Sequence, residues 1–427
     1  MRTVSIVGGG IGGLVLALEL ERHGIRSRIY EAAPRLQALG VGINVLPHAS
    51  AVLAGLGLEE QLTDRAVLTR EAAFFNRFGQ HIFTEPAGRW AGHEHPQYSI
   101  HRGDLHSVLV DAVRRRCGDD AIVTNRRLER VREVGDRVEL HFIDDNGDPL
   151  DPVVAESVVG CDGIHSVIRR TLHPDEGPAR YSGVMMWRGV AAHPRFLSGA
   201  TMVRAGWLQP GKLVTYPIRN GLPGGLQLVN WVAEIEMPRR GERDWQRRGR
   251  LTDFADRFAD WRFDWLDVPE LLGRSEQILE YPMVDQDPLP FWSRGRLTLL
   301  GDAAHPMVPR GSNGAGQAIL DAAALARILA RADDPAQAFA AYEDERLQVT
   351  AAVVRMNRAE PPDAILRTVY ERSGDAPVRA MSEIVTEAEA QAITGRYLKV
   401  ATTRHPAPDT SASLSGAGAR ERNEESR

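Results

Sequence analysis

The chain has 427 residues, which is enough for about two to three domains, each with a substantial core. Its hydrophobic fraction of 43% and charged fraction of 26% are typical of a globular protein, and its formal net charge of -5 argues against a nucleic-acid partner. Cys117 and Cys161 cannot form a disulfide framework, which favours a cytoplasmic location, and no apolar run reaches the ~18 residues that span a bilayer, so we expect no membrane association.

A glycine-rich segment near the start of the chain lies between a predicted strand and a predicted helix. The apolar run from Thr3 to Val7 predicts a buried strand, the run from Leu14 to His23 predicts a helix, and Glu31 ends the next strand-like run. The glycines at the G-x-G-x-x-G positions are Gly8, Gly10 and Gly13. In such a βαβ unit a pyrophosphate meets the helix N-terminus and the carboxylate accepts ribose hydroxyls. The segment therefore predicts a dinucleotide-binding unit.

Two later strand-like runs each end in an aspartate beside glycine, at Asp162 and at Asp302. Each carboxylate would project from the C-terminal end of a strand, where α/β sheets hold their ligands. A second glycine-rich segment, from Pro309 to Gly316, opens an Ala/Leu-rich helix that runs to about Arg331. The N–H groups of that helix start can face the pyrimidine edge of a flavin, where negative charge gathers on reduction. Together these features favour FAD over NAD as the bound dinucleotide.

The predicted elements alternate along the chain between two domains. The strand-like runs at 213–218 and 226–233 predict an antiparallel sheet, accompanied by a helix at 251–260. We predict an α/β fold in which an FAD-binding, Rossmann-like βαβ domain is interleaved with an antiparallel-sheet substrate domain and followed by a helical C-terminal region. The predicted boundaries are 1–70, 99–178 and 289–360 for the FAD-binding domain, 71–98 and 179–288 for the substrate-binding domain, 361–400 for C-terminal helices and 401–427 for a disordered tail.

The motifs, in this order, resemble those of the single-component FAD-dependent aromatic hydroxylases of the salicylate- and hydroxybenzoate-hydroxylase type, over residues 1 to about 360. Four stretches are most like the branch that modifies phenazine carboxylates in pyocyanin formation: Gly40–Asn44, Pro96–Gly103, Met186–Gly189 and Tyr281–Asp285. The resemblance implies an NAD(P)H-consuming monooxygenase that acts through a flavin C4a-hydroperoxide. It would hydroxylate a planar aromatic or N-heteroaromatic acid, decarboxylatively where the carboxylate sits on the attacked carbon, in antibiotic biosynthesis, other secondary metabolism or aromatic catabolism.

The same resemblance implies roles in FAD binding, and it implies no metal. Glu31 would hold the adenosine ribose, and the backbone of Leu128 would contact adenine. Arg102 would lie along the pyrophosphate, Asp162 would bind the pyrophosphate and also NAD(P)H, and Asp302 would bind the ribityl or ribose side. The other residues implied to bind FAD are Gly8, Gly10, Ile11, Gly12, Gly13, Ala32, Gly42, Gly311, Asn313 and Gly314. Asn313 departs from the family pattern, since many relatives carry Ala or Gly there.

On the substrate side, the resemblance matches Tyr216 to a pocket tyrosine whose phenol would anchor a substrate carboxylate or phenol, and Tyr216 is the candidate catalytic residue. The alternative is that Tyr216 is a strand tyrosine that fills the domain interface. Lys212 lies four residues earlier, an even offset that places it on the same strand face. We expect Lys212 to be solvated at the strand start, with a substrate contact as the alternative. Arg188 would either contact the substrate or form a structural ion pair. Pro309 would line the space near the reactive edge of the flavin.

Two other functions remain open from the residues. One is a flavin oxidase or dehydrogenase without an NAD(P)H step, and the other is a non-catalytic flavin-binding regulatory protein. Consumption of NAD(P)H in the presence of aromatic ligands, coupled to a hydroxylated product, would separate them. The expected partners are a small aromatic substrate, O₂ and NADH or NADPH, and the expected assembly is a monomer or a homodimer.

Overall fold

The computed structural model describes residues 3–36, 40–241 and 247–401, with side chains described as far as residue 397. Its strands are β1 (Thr3–Val7), β2 (Arg26–Tyr30), β3 (Gly42–Val45), β4 (Val67–Leu68), β5 (Glu71–Phe75), β6 (His81–Pro86), β7 (Tyr98–His101), β8 (Ile122–Val123), β9 (Arg127–Val134), β10 (Arg137–Ile143), β11 (Val153–Ala155), β12 (Ser157–Gly160), β13 (Arg180–His193), β14 (Thr201–Trp207), β15 (Gly211–Leu222), β16 (Leu226–Glu236), β17 (Arg262–Phe263), β18 (Leu266–Asp267), β19 (Ile278–Asp285) and β20 (Leu297–Leu299). Its helices are α1 (Ile11–Arg22), α2 (Pro47–Gly55), α3 (Glu59–Thr63), α4 (Arg102–Cys117), α5 (Val167–Leu172), α6 (Val268–Gly273), α7 (Gly314–Leu329), α8 (Pro335–Ala359), α9 (Ala364–Ser373) and α10 (Glu387–Ala401). The predicted tail at 401–427 lies, beyond residue 401, outside the described residues.

A five-stranded parallel sheet, in the order β20-β12-β1-β2-β8, carries the cofactor-side motifs. Its central strands β1 and β12 are almost entirely buried, which explains their continuous apolar runs. Because the strands are parallel, their C-terminal ends meet at one edge. Gly8, Glu31, Cys161 and Leu300 directly follow β1, β2, β12 and β20 at that edge. The prediction that the Gly/Asp segments follow the C-terminal ends of strands is therefore confirmed.

A seven-stranded sheet, in the order β19-β13-β16-β15-β14-β5-β6, forms the second layer of the fold. Its neighbouring strands are antiparallel, except that β5 pairs in parallel with β14. Strands β5 and β6 come from the early segment predicted to leave the nucleotide-binding domain. The mixed α/β architecture is therefore as expected, while the exact domain boundaries stay a prediction.

The helix predicted at 251–260 is wrong, because two short 3-10 turns occupy that segment. Phe254 lies between the turns with φ of -148°, outside the helical range. This break lets Phe254 stack on Trp187 while Phe258 packs edge-on against Trp261. Burial of the aromatic rings therefore determines the backbone conformation of 251–260, and the helix-like spacing of its apolar residues does not.

The C-terminal helices α9 and α10 pack against the outer part of the seven-stranded sheet. Ile365 and Val369 of α9 and Ala390 of α10 share one apolar cluster with Phe74 of β5 and Phe83 of β6. In the part of the chain that the structure describes, no helix is long and apolar enough to cross a membrane. The helical C-terminal region thus forms part of the folded unit.

A buried charge network fixes the turn that follows β20. Asp321 of α7 lies 2.6 Å from His305 Nε2 and accepts hydrogen bonds from Gly301 N, at 3.2 Å, and Arg346 Nε, at 2.8 Å. Burial alone raises the pKa of Asp321, but His305 and Arg346 outweigh burial and hold that pKa below its usual value. Asp321 therefore ties α7 and α8 to the Gly-Asp turn that carries Asp302.

Asp321→Asn should lower the free energy of unfolding by about 3–5 kcal/mol at pH 7, because it leaves the Arg346 guanidinium buried without its counter-charge. The folded-state pKa of Asp321 is lowered, so its stabilising effect is present above the unfolded pKa, ~3.9, and is lost as the pH falls through the folded value. Urea unfolding at several pH values measures the difference, which should shrink only below about pH 4. Glu270→Gln, in the exposed pair with Arg274, is the control and should change stability by less than about 1 kcal/mol. Equal losses in both variants would contradict the prediction.

Candidate functional site

One cavity of about 320 Å³ lies between the C-terminal edge of the parallel sheet and the seven-stranded sheet. We call it the main cavity. The predicted site residues on its wall are Gly10, Ile11, Gly12, Gly42, Arg102, Arg188, Lys212, Tyr216, Asp302, Pro309, Asn313 and Gly314. Residues predicted to bind the cofactor and residues predicted to bind the substrate thus meet at one cavity, as expected for a ligand site.

The three motif glycines have different surroundings. A Cβ on Gly8 would lie 2.3 Å from the Cys161 carbonyl oxygen, and a Cβ on Gly13 would lie 2.1 Å from the Gly8 carbonyl oxygen. Gly8 also has φ of +107°, which favours glycine. A Cβ on Gly10, by contrast, would meet nothing within 4 Å. Gly8 and Gly13 therefore make the turn and its packing possible, and Gly10 leaves room for a ligand to approach the backbone.

Glu31 is held against the glycine turn by backbone N–H groups. Its Oε2 accepts a hydrogen bond from Gly9 N at 2.7 Å, and its Oε1 accepts one from Ala33 N at 2.8 Å. The carboxylate and the adjoining Ala32 lie beyond the wall of the main cavity, at the end of β2. Each carboxylate oxygen keeps further acceptor capacity, which a ribose could use.

Like Gly8 and Gly13, three other predicted residues lie off the wall of the main cavity. The Asp162 carboxylate accepts a hydrogen bond from Val167 N at 2.8 Å, so the side chain closes the turn before α5, and the neighbouring Cys161 and Gly163 line the cavity. Burial raises the pKa of Asp162. Leu128 of β9 is buried in the main hydrophobic core. Gly311 packs against the hydroxyl of Tyr397 in α10, since a Cβ on Gly311 would lie only 1.5 Å from the Tyr397 Oη.

Two helix N-termini face the main cavity. The first helical hydrogen bonds are donated by Leu14 N to Gly10 O in α1 and by Gln317 N to Asn313 O in α7. The first three N–H groups of each helix are therefore left for other partners. Neither first turn carries an acidic side chain of its own; the nearest carboxylates are those of Glu31, which accepts a hydrogen bond from Gly9 N just before α1, and Asp302, which lies beside Gly314 at the start of α7. Both helix starts can therefore bind negatively charged or electron-rich groups.

Arg102 and Asp302 face each other across the cofactor side of the cavity. Burial lowers the pKa of Arg102, while Asp302 opposes that effect. Arg102 begins α4, and its N–H donates to Val41 O at 2.9 Å, which anchors the start of the helix. The Arg102 guanidinium could bind a phosphate, and the Asp302 carboxylate could accept hydrogen bonds from hydroxyl groups.

The apolar end of the cavity carries Tyr216 and Arg188. Arg188 donates hydrogen bonds to Gly42 O at 2.5 Å and to Tyr281 Oη at 3.2 Å, so it is fixed by uncharged partners. Burial raises the pKa of Tyr216, and Arg188 opposes that rise. The surrounding wall is apolar and includes Met186, Val214, Val232 and Leu279. This arrangement suits a flat ring with one polar substituent.

The expectation that Lys212 is solvated is wrong. Lys212 is 1% exposed, and its Nζ lies 2.8 Å from Glu234 Oε2 and also forms an ion pair with Asp363. Strand β15 lies between β14 and β16, and the segment before α9 covers it, so the strand start has no access to water. Two carboxylates already balance the Lys212 charge, which weakens its case as a substrate anchor.

Sequence reasoning missed Arg204, Tyr281, Glu234 and Asp363. Arg204 had a visible signal, since it is a charged residue inside the apolar strand β14. Asp363 had none, because it reaches Lys212 from a segment far along the chain. Among the described residues, no group of His, Cys, Asp and Glu side chains could hold a metal ion.

Comparisons with known proteins identify the family of this chain. The chain is 42% identical over 389 residues to the phenazine 1,6-dicarboxylic acid hydroxylase PhzS of Lysobacter antibioticus, covering 90% of this chain and 95% of that protein. It is 36% identical to the 3-amino-4-hydroxybenzoate 2-monooxygenase PtnB3 of Streptomyces platensis, covering 83% and 86%. The fold matches the crystal structure of CtdE in complex with FAD and a substrate, with a TM-score of 0.74, 21% identity and coverage of 94% and 99%. The family model described as FAD binding domain matches residues 1–357. The chain therefore belongs to the FAD-binding-domain family, among its FAD-dependent aromatic monooxygenases.

Proposed function

We propose that this FAD-dependent monooxygenase hydroxylates a planar aromatic or N-heteroaromatic acid at the expense of NADH or NADPH. The observation that carries the proposal is the main cavity itself. Two helix N-termini lie at one end, and an apolar wall with Tyr216 and Arg188 lies at the other. Such a cavity can hold a dinucleotide and a ring in contact with each other.

The described residues fit FAD. The start of α1, with open space at Gly10, suits the pyrophosphate, and Glu31 offers carboxylate oxygens to the adenosine ribose. The start of α7 at Gly314 suits the pyrimidine edge of the flavin ring. When bound, FAD supplies the redox chemistry that takes electrons from NAD(P)H and activates O₂.

The chain's own residues then bind and orient the substrate ring. The apolar wall would keep water away from the reacting atoms, so that oxygen activated by bound FAD would be used on the substrate and not lost to water. Because the pKa of Tyr216 is raised, its hydroxyl stays protonated near neutral pH and can donate a hydrogen bond to a substrate oxygen. Arg188, fixed by Gly42 and Tyr281, adds positive charge beside that oxygen. A hydroxyl on the ring is thereby stabilised in its electron-rich phenolate form.

The names of the relatives support an acid as substrate. One acts on phenazine 1,6-dicarboxylic acid and another on 3-amino-4-hydroxybenzoate, and both compounds carry a carboxylate on a planar ring. We place the reaction in secondary metabolism or aromatic catabolism, with loss of the carboxylate where it sits on the attacked carbon. We further propose that the enzyme works in the cytoplasm as a monomer or a homodimer.

The experiment that tests this function measures NAD(P)H oxidation by the purified holoenzyme across phenazine-1-carboxylate, salicylate, hydroxybenzoates and quinolones, with the product mass determined. The expected results are a product with one added oxygen, which has also lost CO₂ where the carboxylate sits on the attacked carbon, and faster flavin reduction in the presence of the acid. Flavin reduction by the organic compound itself, without NAD(P)H and with hydrogen peroxide formed from O₂, would favour a flavin oxidase instead. A purified protein without flavin that cannot be reconstituted with FAD would overturn the proposal.

Glu31→Ala should weaken FAD binding by about 10–100-fold, because it removes a charged hydrogen-bond acceptor worth about 1.5–3 kcal/mol. Fluorescence titration of the apoprotein with FAD gives the dissociation constant. Glu236→Ala, at the exposed end of β16, is the control and should bind FAD as the wild type does. Unchanged binding in Glu31→Ala would remove Glu31 from the cofactor site.

Tyr216→Phe should raise the Kd of a ring hydroxyl compound such as 4-hydroxybenzoate by about 5–100-fold, because one buried hydrogen bond is lost. The Kd of benzoate, which lacks the hydroxyl, should change far less. Titration of the oxidised holoenzyme, followed by its flavin absorbance, measures both values. Equal weakening for the two compounds would assign Tyr216 to packing alone.

A further inference from the structure

Tyr397 of α10 lies behind the second glycine-rich segment, Pro309 to Gly316, as seen from the main cavity. A second cavity, of about 340 Å³, adjoins the main cavity, and Ser312 lines both. Tyr397 and Gly311 line the second cavity, whereas Asn313 lines the main one. The segment therefore separates Tyr397 from the space in which we place the flavin ring.

The hydroxyl of Tyr397 is buried against this segment. Tyr397 is only 2% exposed. A Cβ on Gly311 would lie 1.5 Å from the Tyr397 Oη and 2.8 Å from the Oδ1 of Asn357 in α8. Burial raises the pKa of Tyr397, and the neighbouring Asn313 side chain opposes that rise. Polar groups from α8, from α10 and from the residue before α7 thus meet around Gly311.

These three groups match one another as hydrogen-bond donors and acceptors. Among the described residues, Tyr397 Oη, Asn357 Oδ1 and Asn313 Nδ2 have no other hydrogen-bond partner. Leaving such buried atoms unpaired is costly. An amide nitrogen only donates, an amide oxygen only accepts, and a phenol does both. With Tyr397 in the middle, all three atoms are satisfied together.

The same contacts fix both ends of a strained stretch of backbone. Asn357 Nδ2 donates to Val308 O at 3.3 Å, and Asn313 Oδ1 lies 3.2 Å from His48 Nε2. Between these ends, Ser312 has φ of +53°, a left-handed conformation that residues with a side chain rarely adopt. Such a conformation persists only where the surrounding structure holds it. Tyr397 completes the contacts that hold it here.

Helix α10 does not depend on the Tyr397 hydroxyl for its place in the fold. Ala390 and Ile393 of α10 pack in one apolar cluster with Phe74 of β5 and Phe83 of β6. Phenylalanine at position 397 would keep the ring and lose only the hydroxyl. The contribution of that hydroxyl can therefore be measured with α10 still docked.

We propose that Tyr397 is a positioning residue for FAD, whose hydroxyl donates a hydrogen bond to Asn357 Oδ1 and accepts one from Asn313 Nδ2. It thereby fixes the N–H groups at the start of α7 against the flavin ring. Those N–H groups stabilise the negative charge that gathers on the pyrimidine edge on reduction. The inference rests on the FAD placement in the proposed function, but not on the substrate. Tyr397 thus favours reduced over oxidised flavin without touching the ring.

The test measures the Kd of oxidised FAD and the two-electron potential of the bound flavin in wild type, Tyr397→Phe, Asn357→Leu and the double variant. Each single variant should reduce the preference for reduced FAD by about 2–10-fold, because one buried hydrogen bond is lost. That change lowers the potential by ~10–30 mV. The double variant should fall no further than the single variants, because both remove the same link.

Tyr370→Phe is the matched control. Tyr370 lies in α9, its hydroxyl donates to Gln209 Oε1 at 2.9 Å, and it lines neither cavity. This variant also loses one hydroxyl hydrogen bond, and it should keep the wild-type potential.

A role in packing alone would weaken oxidised and reduced FAD equally, so an unchanged potential in Tyr397→Phe overturns the inference. Additive shifts in the double variant also overturn it, because Tyr397 would then act without Asn357. If Tyr397→Phe does not retain FAD, Asn357→Leu decides by the same criterion. A wild type that hydroxylates an aromatic acid, with no shift in either variant, keeps the proposed function and removes this role. A wild type that binds FAD and hydroxylates none of the acids, with the expected shifts in the variants, does the reverse.

Discussion

The site depends on the common direction of the strands in the parallel sheet. Because β20, β12, β1 and β2 run in the same direction, their ends lie at one edge, and the turns after them converge there. Helix α1 starts at that edge and packs against α7, so the free N–H groups of both helix starts point at the same cavity. A single geometric constraint thus concentrates two positive helix ends around one space.

Buried charges complete the site, and they do so in two different ways. Asp321 is fully matched by His305 and Arg346, which makes it a rigid support behind the glycine turn. Arg204 is 7% exposed on the wall of the main cavity, with an aromatic ring as its neighbour and no carboxylate bonded to it. A buried ion pair stabilises the local structure, whereas a buried cation without a carboxylate partner favours the binding of an anion.

Local patterns predicted the cofactor side well. The motif around Gly8, Gly10 and Gly13 and the Gly-Asp turn at Asp302 are short, and their geometry follows from neighbouring residues. The substrate side depends on side-chain contacts between segments that are far apart in the sequence, and neighbouring residues do not predict such contacts. Lys212 looked like a strand-start residue exposed to water because Asp363, which covers it, lies far along the chain. The helix predicted at 251–260 was wrong for a similar reason. The contact of Phe254 with Trp187, which is distant in the sequence, determines the backbone conformation of that segment.

The contact between Tyr397 and Gly311 has a consequence for biosynthesis. The hydroxyl of Tyr397, on the last described helix, lies against the glycine segment at the start of α7, and the same tyrosine lines the second cavity. The wall of the site therefore stays incomplete until the ribosome has synthesised residue 397 and α10 has docked. The strand–helix–strand unit of β1, α1 and β2 is synthesised before α10, so that unit can fold before the complete two-cavity pocket forms.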